Sequence, residues 1–310
     1  MSRPAALQDR IVLGHNPFFG VDHLSRERGA AREAKFEASD AIVEMIRYAQ
    51  SEGVGGLMMS THPRANLVAD TVRGVPELRD SLRLYPLLPY VNKYVRAANE
   101  KGLVNVVFDQ LKGSTIGQKL SVLTRGGIGF LRKDSTDMLK TLIRMELAPF
   151  RDLQMQAVFL HDVLTDLALA FDLRGIFELY IEEIEKRFDS RPAFATKNLP
   201  LLAQRFAEYG FERPAVLAHF NKIGFGMNPD RESCERCLRE HDIEVMAMGT
   251  LASGYIQPAD AYSYLGSLDG VGGEPGIDSV VVGVSTPEHG RETFGEIRTH
   301  MSGRAHMTGA

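Results

Sequence analysis

The chain has 310 residues, 44% hydrophobic and 25% charged, which is ample material for one large core. A net charge of −4 without a long basic run argues against nucleic acid as a partner, and no apolar stretch approaches the roughly 18 residues that span a bilayer. With two cysteines a disulfide scaffold is not expected, and Met1-Ser-Arg-Pro-Ala lacks a signal-peptide core, so a cytoplasmic protein is expected.

Taken in order, residues 1–9 read as a loose leader, and Arg10–Gly14 as a first strand that runs out at His15-Asn16. The loop behind it, from His15 through His23 to Ser25, is broken by Pro17 and Gly20 and can fold over a strand end. Its aromatic rings either stack on a ligand or cap a core. Glu37–Ser51 carries Ala41, Ile42, Met45, Ile46 and Ala49 at helical spacing, with Gly53 just past its end. A strand at Val54–Met59 leads to Ser60-Thr61-His62. A short helix at Pro76–Asp80 precedes a strand at Leu82–Leu88, which leads to Pro89-Tyr90.

Residues 91–150 hold a helix at Val91–Lys101, the segment Val104–Phe108, a glycine-rich piece from Gly113 to Gly129, and a helix near Ser135–Glu146. That is too long for one repeat between strands. It reads as an insertion on the upper rim, serving as a lid, a subunit contact or neither.

The clearest stretch is Met155-Gln-Ala-Val-Phe-Leu, an apolar run that stops at His161-Asp162, as a strand buried on both faces does. One long helix is expected over Leu164–Phe188, with Glu182/Lys186 and Glu183/Arg187 on a solvated face. Strands at Ala193–Thr196 and Ala215–Ala218 end in Lys197-Asn198 and in His219, Asn221 and Lys222, with a helix at Leu199–Tyr209 between them. Asn228-Pro229 reads as the cap and first residue of a helix running to Glu240. On that helix Cys234 and Cys237 share a face; packing is the simpler reading of them, redox chemistry the sharper one. A strand at Glu244–Met248 leads to Gly249-Thr250, and a short helix follows at Ala259–Leu265. After a flexible turn at Gly270–Gly276, a strand at Ser279–Val282 leads into Gly283-Val-Ser285-Thr286 and a last helix; the tail from Ser302 is polar. Eight strands alternating with helices predict a single (β/α)8 TIM barrel across residues 1–310. A doubly wound sheet would want a Gly-x-Gly-x-x-Gly turn after the first strand, and none is there.

In such a barrel the chemistry sits where the strands end. His15, His62, His161 and His219 are four of the nine histidines, and all lie at predicted strand exits. With Asp162 they could bind Zn, Mn or Fe, or they could be neutral imidazoles bonding a polar substrate. No His-x-His or His-Glu-x-x-His spacing marks a metal site. His161 is the candidate acid/base, with Asp162, His62 and Lys197 as catalytic partners. His15, Asn16, Arg64, Asn198, His219, Asn221 and Lys222 are candidates to bind substrate; Arg64 and Lys222 read equally as solvated side chains. Gly283, Ser285 and Thr286, before a helix, offer backbone N–H groups to a phosphate, and Gly249 and Thr250 belong with them as candidate cofactor-binding residues.

The last third also resembles a known family. Asn221-Lys222, Asn228-Pro229 and Asp242-Ile-Glu-Val-Met-Ala-Met-Gly-Thr-Leu-Ala-Ser-Gly254 look like the sixth and seventh repeats of the aldo-keto reductase superfamily. Ser279-Val-Val-Val-Gly-Val-Ser-Thr-Pro-Glu-His289 looks like its eighth strand and NADP phosphate loop. The resemblance covers roughly residues 190–295 and implies a barrel that binds NADP. Of the family's Asp, Tyr, Lys and His, only the His has a match, His161. Met58, Met59 and Ser60 stand where the Asp should be, His62-Pro-Arg64 where the Tyr should be, and Pro89-Tyr90 where the Lys should be.

Those departures set the functional expectation: non-redox acid/base chemistry (isomerase, epimerase or lyase) on a polar, sugar-like or phosphorylated small molecule, metal-assisted or not. The alternatives are a divergent NADP-dependent reductase and a barrel that binds a ligand without turnover. The partners expected are a small molecule and possible further copies of the chain, with no nucleic acid and no membrane.

Overall fold

Short apolar runs need partners on both faces, and here eight of them find those partners by closing on one another. The computed structural model describes residues 6–21, 25–90, 133–268 and 276–301. Strands β1 (Ile11–Gly14), β2 (Gly56–Ser60), β3 (Arg83–Leu88), β4 (Ala157–Leu160), β5 (Arg191–Thr196), β6 (Ala215–His219), β7 (Glu244–Met248) and β8 (Ile277–Val282) form a closed parallel barrel in sequence order. Side chains alternate across it with the period of two that strands impose. Val12, Met58, Tyr85, Phe159, Ala193, Ala195, Leu217 and Met246 fill the interior. Leu13, Leu57, Leu84, Val158, Phe194, Val216 and Val245 face the surrounding helices. The register supports this, pairing Met58 with Tyr85, Phe159 with Ala193, and Leu217 with Met246. Gly56 makes room for the Tyr85 ring, since a Cβ there would stand 2.5 Å from it.

The helices are α1 (Arg26–Lys35), α2 (Ser39–Ser51), α3 (Ala65–Gly74), α4 (Pro76–Ser81), α5 (Lys133–Leu147), α6 (Asp162–Ala170), α7 (Arg174–Phe188), α8 (Leu199–Tyr209), α9 (Arg231–Glu240), α10 (Pro258–Ser267) and α11 (Pro287–His300). They differ from expectation in three respects. The single helix foreseen over Leu164–Phe188 is two, because Asp172 takes a left-handed conformation (φ 53°) after Phe171 and breaks the ladder. Asn228-Pro229 does not open α9; Asp230 caps it instead, its carboxylate accepting the Ser233 N–H. α1 and α3 occupy stretches to which no element was assigned. Of the expected insertion, residues 133–150 form α5 and a 3₁₀ turn at Ala148–Phe150. Val91–Lys101, Val104–Phe108, the glycine-rich piece, His23, most of the Gly270–Gly276 turn and the tail from Ser302 lie outside the described residues.

The leader is not loose at its inner end. Leu7 is buried, and its N–H donates to Glu244 across the floor of the barrel. Buried Asp9 accepts from the Arg83 guanidinium and from Tyr85 Oη (2.6 Å). Glu244 in turn receives Arg191 (2.6 Å), and Arg213 bridges Glu244 and Asp278. A plug of paired charges thus closes the N-terminal end, which leaves the C-terminal end for chemistry.

Candidate active site

Two residues beyond the last interior layer, the same alternation carries a new set of side chains to the C-terminal mouth. Ser60 follows Met58, His161 follows Phe159, Lys197 follows Ala195, and His219 follows Leu217. Where strand periodicity ends in polar residues, the pocket begins.

His161 is the N-cap of α6, and the half-buried ring lies against the Asp162 carboxylate, Nδ1 to Oδ1 2.5 Å. The Val163 N–H is 2.9 Å from Asp162 Oδ1 and 3.3 Å from His161 Nδ1. The shorter, charge-assisted bond takes that proton, so Nδ1 is left to donate to Asp162. Nε2 is then the ring atom turned away from the carboxylate. Lys197 Nζ stands 3.6 Å from the other oxygen of Asp162. Burial works to raise the pKa of Asp162, but His161, Lys197 and the Val163 N–H outweigh it and the net shift is downward. One turn along α6, Asp166 accepts from Thr196 Oγ1 (2.5 Å) and from the Lys197 N–H (3.1 Å), pinning the end of β5. Burial is the main reason its own pKa is raised.

Across the β1–β3 side the rim is a series of rings. His15 tilts on Phe19 at 5.1 Å, Phe19 stacks on His62 at 4.7 Å and 15°, and His62 meets Tyr90 edge-on at 4.7 Å. Phe18, by contrast, is fully buried against Phe36. Of the two readings of the loop aromatics, then, burial favours the cap: Phe18 and Phe19 both belong to the core, and Phe19, 4% exposed, also packs on His15 and His62. His62 Nδ1 accepts the Arg64 N–H (3.1 Å), so the neutral ring carries its proton on Nε2. Burial, with further lowering from His62 and His161 nearby, brings the pKa of His15 down to about 4, against a hydrogen bond to the Met58 backbone.

The remaining candidates are occupied elsewhere. The Arg64 guanidinium is turned onto the Phe36 carbonyl (2.8 Å) and Glu33, fastening α1 to the loop after β2 rather than gripping an anion. Asn221 is fully buried; its amide donates to the Phe225 and Gly249 carbonyls, and its oxygen accepts the Phe225 N–H. Lys222 pairs at the surface with Asp260 (2.8 Å). Asn198 caps α8 through the Leu201 N–H. The His219 ring is wedged between Gly226 and Gly249, where a Cβ on either would collide with it. Buried Thr250 bonds Tyr262 Oη (3.2 Å). Among the described residues, no three His, Cys, Asp or Glu side chains are grouped to hold a metal ion. The expected Zn, Mn or Fe site finds no support among the described residues.

Gly283, Ser285 and Thr286, expected to meet a phosphate, lie on the loop between β8 and α11. Gly283 lies so close to the β1 loop that a Cβ would stand 3.1 Å from Pro17 Cδ, and Asn16 is beside it. Lys35 Nζ donates to the Ser285 carbonyl (2.7 Å), bringing a cation to the loop. Thr286 caps α11 by accepting the His289 N–H (3.3 Å). Cys234 and Cys237 are buried on α9, and burial pushes their thiols up to about 11 and about 12, away from the thiolate that redox chemistry needs.

Thr61, Tyr90, Glu146, Asp166 and Lys35 were not among the candidates. Glu146 had a signal: it sits three residues after Ile143 on the apolar stripe of α5, where an acid is out of place unless it is bonded.

No protein-family model and no curated protein matches the chain. Solved structures do match its fold. A thermostable aldo-keto reductase in complex with the inhibitor epalrestat is 11% identical, with 94% of each chain covered and a TM-score of 0.55. An aldo-keto reductase from Brucella melitensis is 11% identical over 93% of this chain and 87% of that one, TM-score 0.52. One from Bacillus halodurans, in its holo form, is 11% identical over 94% and 91%, TM-score 0.51. The expected isomerase, epimerase or lyase chemistry is corrected on this finding: the neighbours in fold are aldo-keto reductases. In fold the chain is a closed parallel (β/α)8 barrel similar to those of solved aldo-keto reductases.

Proposed function

We propose that this barrel is an NADP(H)-dependent oxidoreductase that interconverts a carbonyl and an alcohol, with His161 as its proton donor and acceptor. The observation that carries the reading is the His161–Asp162–Lys197 cluster at the inward-facing ends of β4 and β5, on a barrel whose fold neighbours are aldo-keto reductases.

The β8–α11 loop suits a dinucleotide phosphate. Gly283 keeps side-chain bulk off the loop, Ser285 and Thr286 lie at a helix N-terminus, and Lys35 supplies a positive charge. Glu288 in the first turn of α11 is an unfavourable charge there. Bound there, the dinucleotide would supply the hydride. The protein's own part is to hold the carbonyl oxygen at His161 Nε2 and give it the proton that completes the alcohol. Asp162, taking Nδ1–H, orients the ring for that transfer. Lys197, beside Asp162, would draw an anionic or polar substituent into the mouth.

Two measurements test this reading. Titration of the purified protein with NADPH by fluorescence is expected to show micromolar binding. His161→Gln is expected to lower kcat for carbonyl-dependent NADPH oxidation by about 10²–10⁴-fold while leaving NADPH affinity in place. A protein that does not bind NADPH, or a variant that turns over like the parent, contradicts it.

A further inference from the structure

At the end of the barrel opposite His161 the chain folds a second hollow. It measures about 430 Å³ and lies between the C-terminal end of α8, the turn into β6 and the turn into β7. That volume is in the range of small-molecule sites. Two turns shape it. After α8 the Gly210 N–H bonds the Ala207 carbonyl (3.1 Å) and the Phe211 N–H the Phe206 carbonyl (2.9 Å), so the chain doubles back. Half-buried Phe211 thereby stands edge-on to Phe206 at 5.1 Å and packs on Tyr209 at 5.7 Å. After α9 the His241 N–H closes on the Cys237 carbonyl (3.2 Å), and the Ile243 N–H on the His241 carbonyl (3.0 Å). This brings His241 and Asp242 to the edge of the hollow. Ala207, Phe211, Pro214 and Ile243 give it apolar sides, and Glu212, Arg213, His241 and Asp242 give it polar ones.

Arg213 is held in place from within. Its backbone is left-handed (φ 39°) directly before Pro214, a conformation that a non-glycine residue keeps only under outside constraint. Arg191 donates to its carbonyl (3.0 Å), and the Glu244 N–H donates to the Pro214 carbonyl (3.0 Å). Nε and Nη2 face buried Glu244 (3.6 Å) and Asp278 (3.5 Å), which orient the guanidinium. Nη1 stands 3.8 Å from Asp242, whose side chain is 69% exposed. All three separations exceed the roughly 2.7–2.9 Å of a charge-assisted hydrogen bond. The outer edge of Arg213 is thus aimed at the hollow without a direct bond to Asp242.

We infer that this hollow binds a free α-amino acid with an aromatic side chain. The carboxylate lies at Arg213 and His241, the ammonium at Asp242 and Glu212, and the ring on Phe211, Ala207 and Pro214. A simple anion would meet two acids there, and a simple cation would meet Arg213. A molecule that carries both charges on one carbon answers both. A peptide end has only one of the two. The ring gains an edge-on or offset contact with Phe211 that a small side chain does not. None of this depends on the chemistry at the mouth.

The test is isothermal titration and saturation-transfer NMR on the full chain with L-phenylalanine, 3-phenylpropionate, phenethylamine and glycine. The last three lack the ammonium, the carboxylate and the ring in turn. L-Phenylalanine is expected to bind saturably at about 1 mM or tighter, and each of the others at least about tenfold more weakly. Asp242→Asn is expected to weaken phenylalanine about three- to tenfold without weakening 3-phenylpropionate. Ala207→Phe, at an exposed helical position, fills the hollow and is expected to abolish binding in a folded protein. Saturating NADPH and the variant His161→Gln should both leave phenylalanine affinity unchanged. No saturable binding of phenylalanine, equal affinity for 3-phenylpropionate or phenethylamine, undiminished binding in Ala207→Phe, or loss of binding in His161→Gln overturns the inference. The expected pattern in a protein that never oxidises NADPH would leave this site standing and remove the reductase reading.

Discussion

The two ends of this barrel are built from the same side-chain types and use them in opposite ways. At the N-terminal end Asp9, Arg83, Tyr85, Arg191, Arg213, Glu244 and Asp278 satisfy one another within the protein. At the C-terminal end His161, Asp162 and Lys197 are anchored on one side only, with the Nε2 of His161 turned away from its carboxylate and the Lys197 side chain 54% exposed. Charge type alone does not separate structure from function; what separates them is whether each polar atom is answered inside the fold.

That contrast can be broken at either end. The largest stability effect is expected at the floor. Glu244→Gln should leave Arg191 poorly paired in a buried site and cost about 3–5 kcal/mol in chemical denaturation, with NADPH affinity unchanged in the protein that remains folded. At the mouth the effect should be on rate instead. Asp162→Asn keeps the shape but loses the charge that orients His161, and is expected to lower kcat by about 10–100-fold with a smaller change in KM. A loss of stability without a loss of rate would mean that Asp162 belongs with the floor residues in kind.

A smaller effect distinguishes His15. Its pKa is 6.5 in an unfolded chain and about 4 in the fold, so the folded form favours the neutral ring. The unfolded chain takes up that proton first as pH falls. The stability associated with neutral His15 is therefore fully present above 6.5 and is lost on going down through about 4. His15→Asn should flatten that part of the acid limb, measured as the variant-minus-parent difference in denaturation midpoint between the two pH values. A parent and a variant with parallel limbs would show that His15 titrates normally. The smallest effect is expected on α6 away from the mouth. Leu167→Gln, at a position 52% exposed, should change stability by no more than about 0.5 kcal/mol.

Much of the barrel was legible because parallel strands buried on both faces read as short apolar runs, Ala157–Leu160 and Ala215–Ala218 among them, that stop at polar residues. That His161, Asp162 and Lys197 stand at strand ends was legible for the same reason. The break between α6 and α7 was not, because no Pro or Gly marks Phe171-Asp172-Leu173 and the helical spacing continues across it. Nor could the sequence show that Arg64 turns to Phe36, Asn221 to Phe225 and Gly249, or Lys222 to Asp260; each depends on which loop lies alongside once the barrel has closed. Leu7 and Asp9 looked like leader for a related reason, since their partners Glu244 and Arg83 are far away in the chain.

The most direct test of the open end is a single-turnover reduction of a carbonyl compound by preloaded NADPH, in the parent and in His161→Gln. The account predicts hydride transfer in the parent and a rate lower by about 10²–10⁴-fold in the variant, at unchanged NADPH affinity. Equal rates in the two proteins, or no transfer in either, would contradict it.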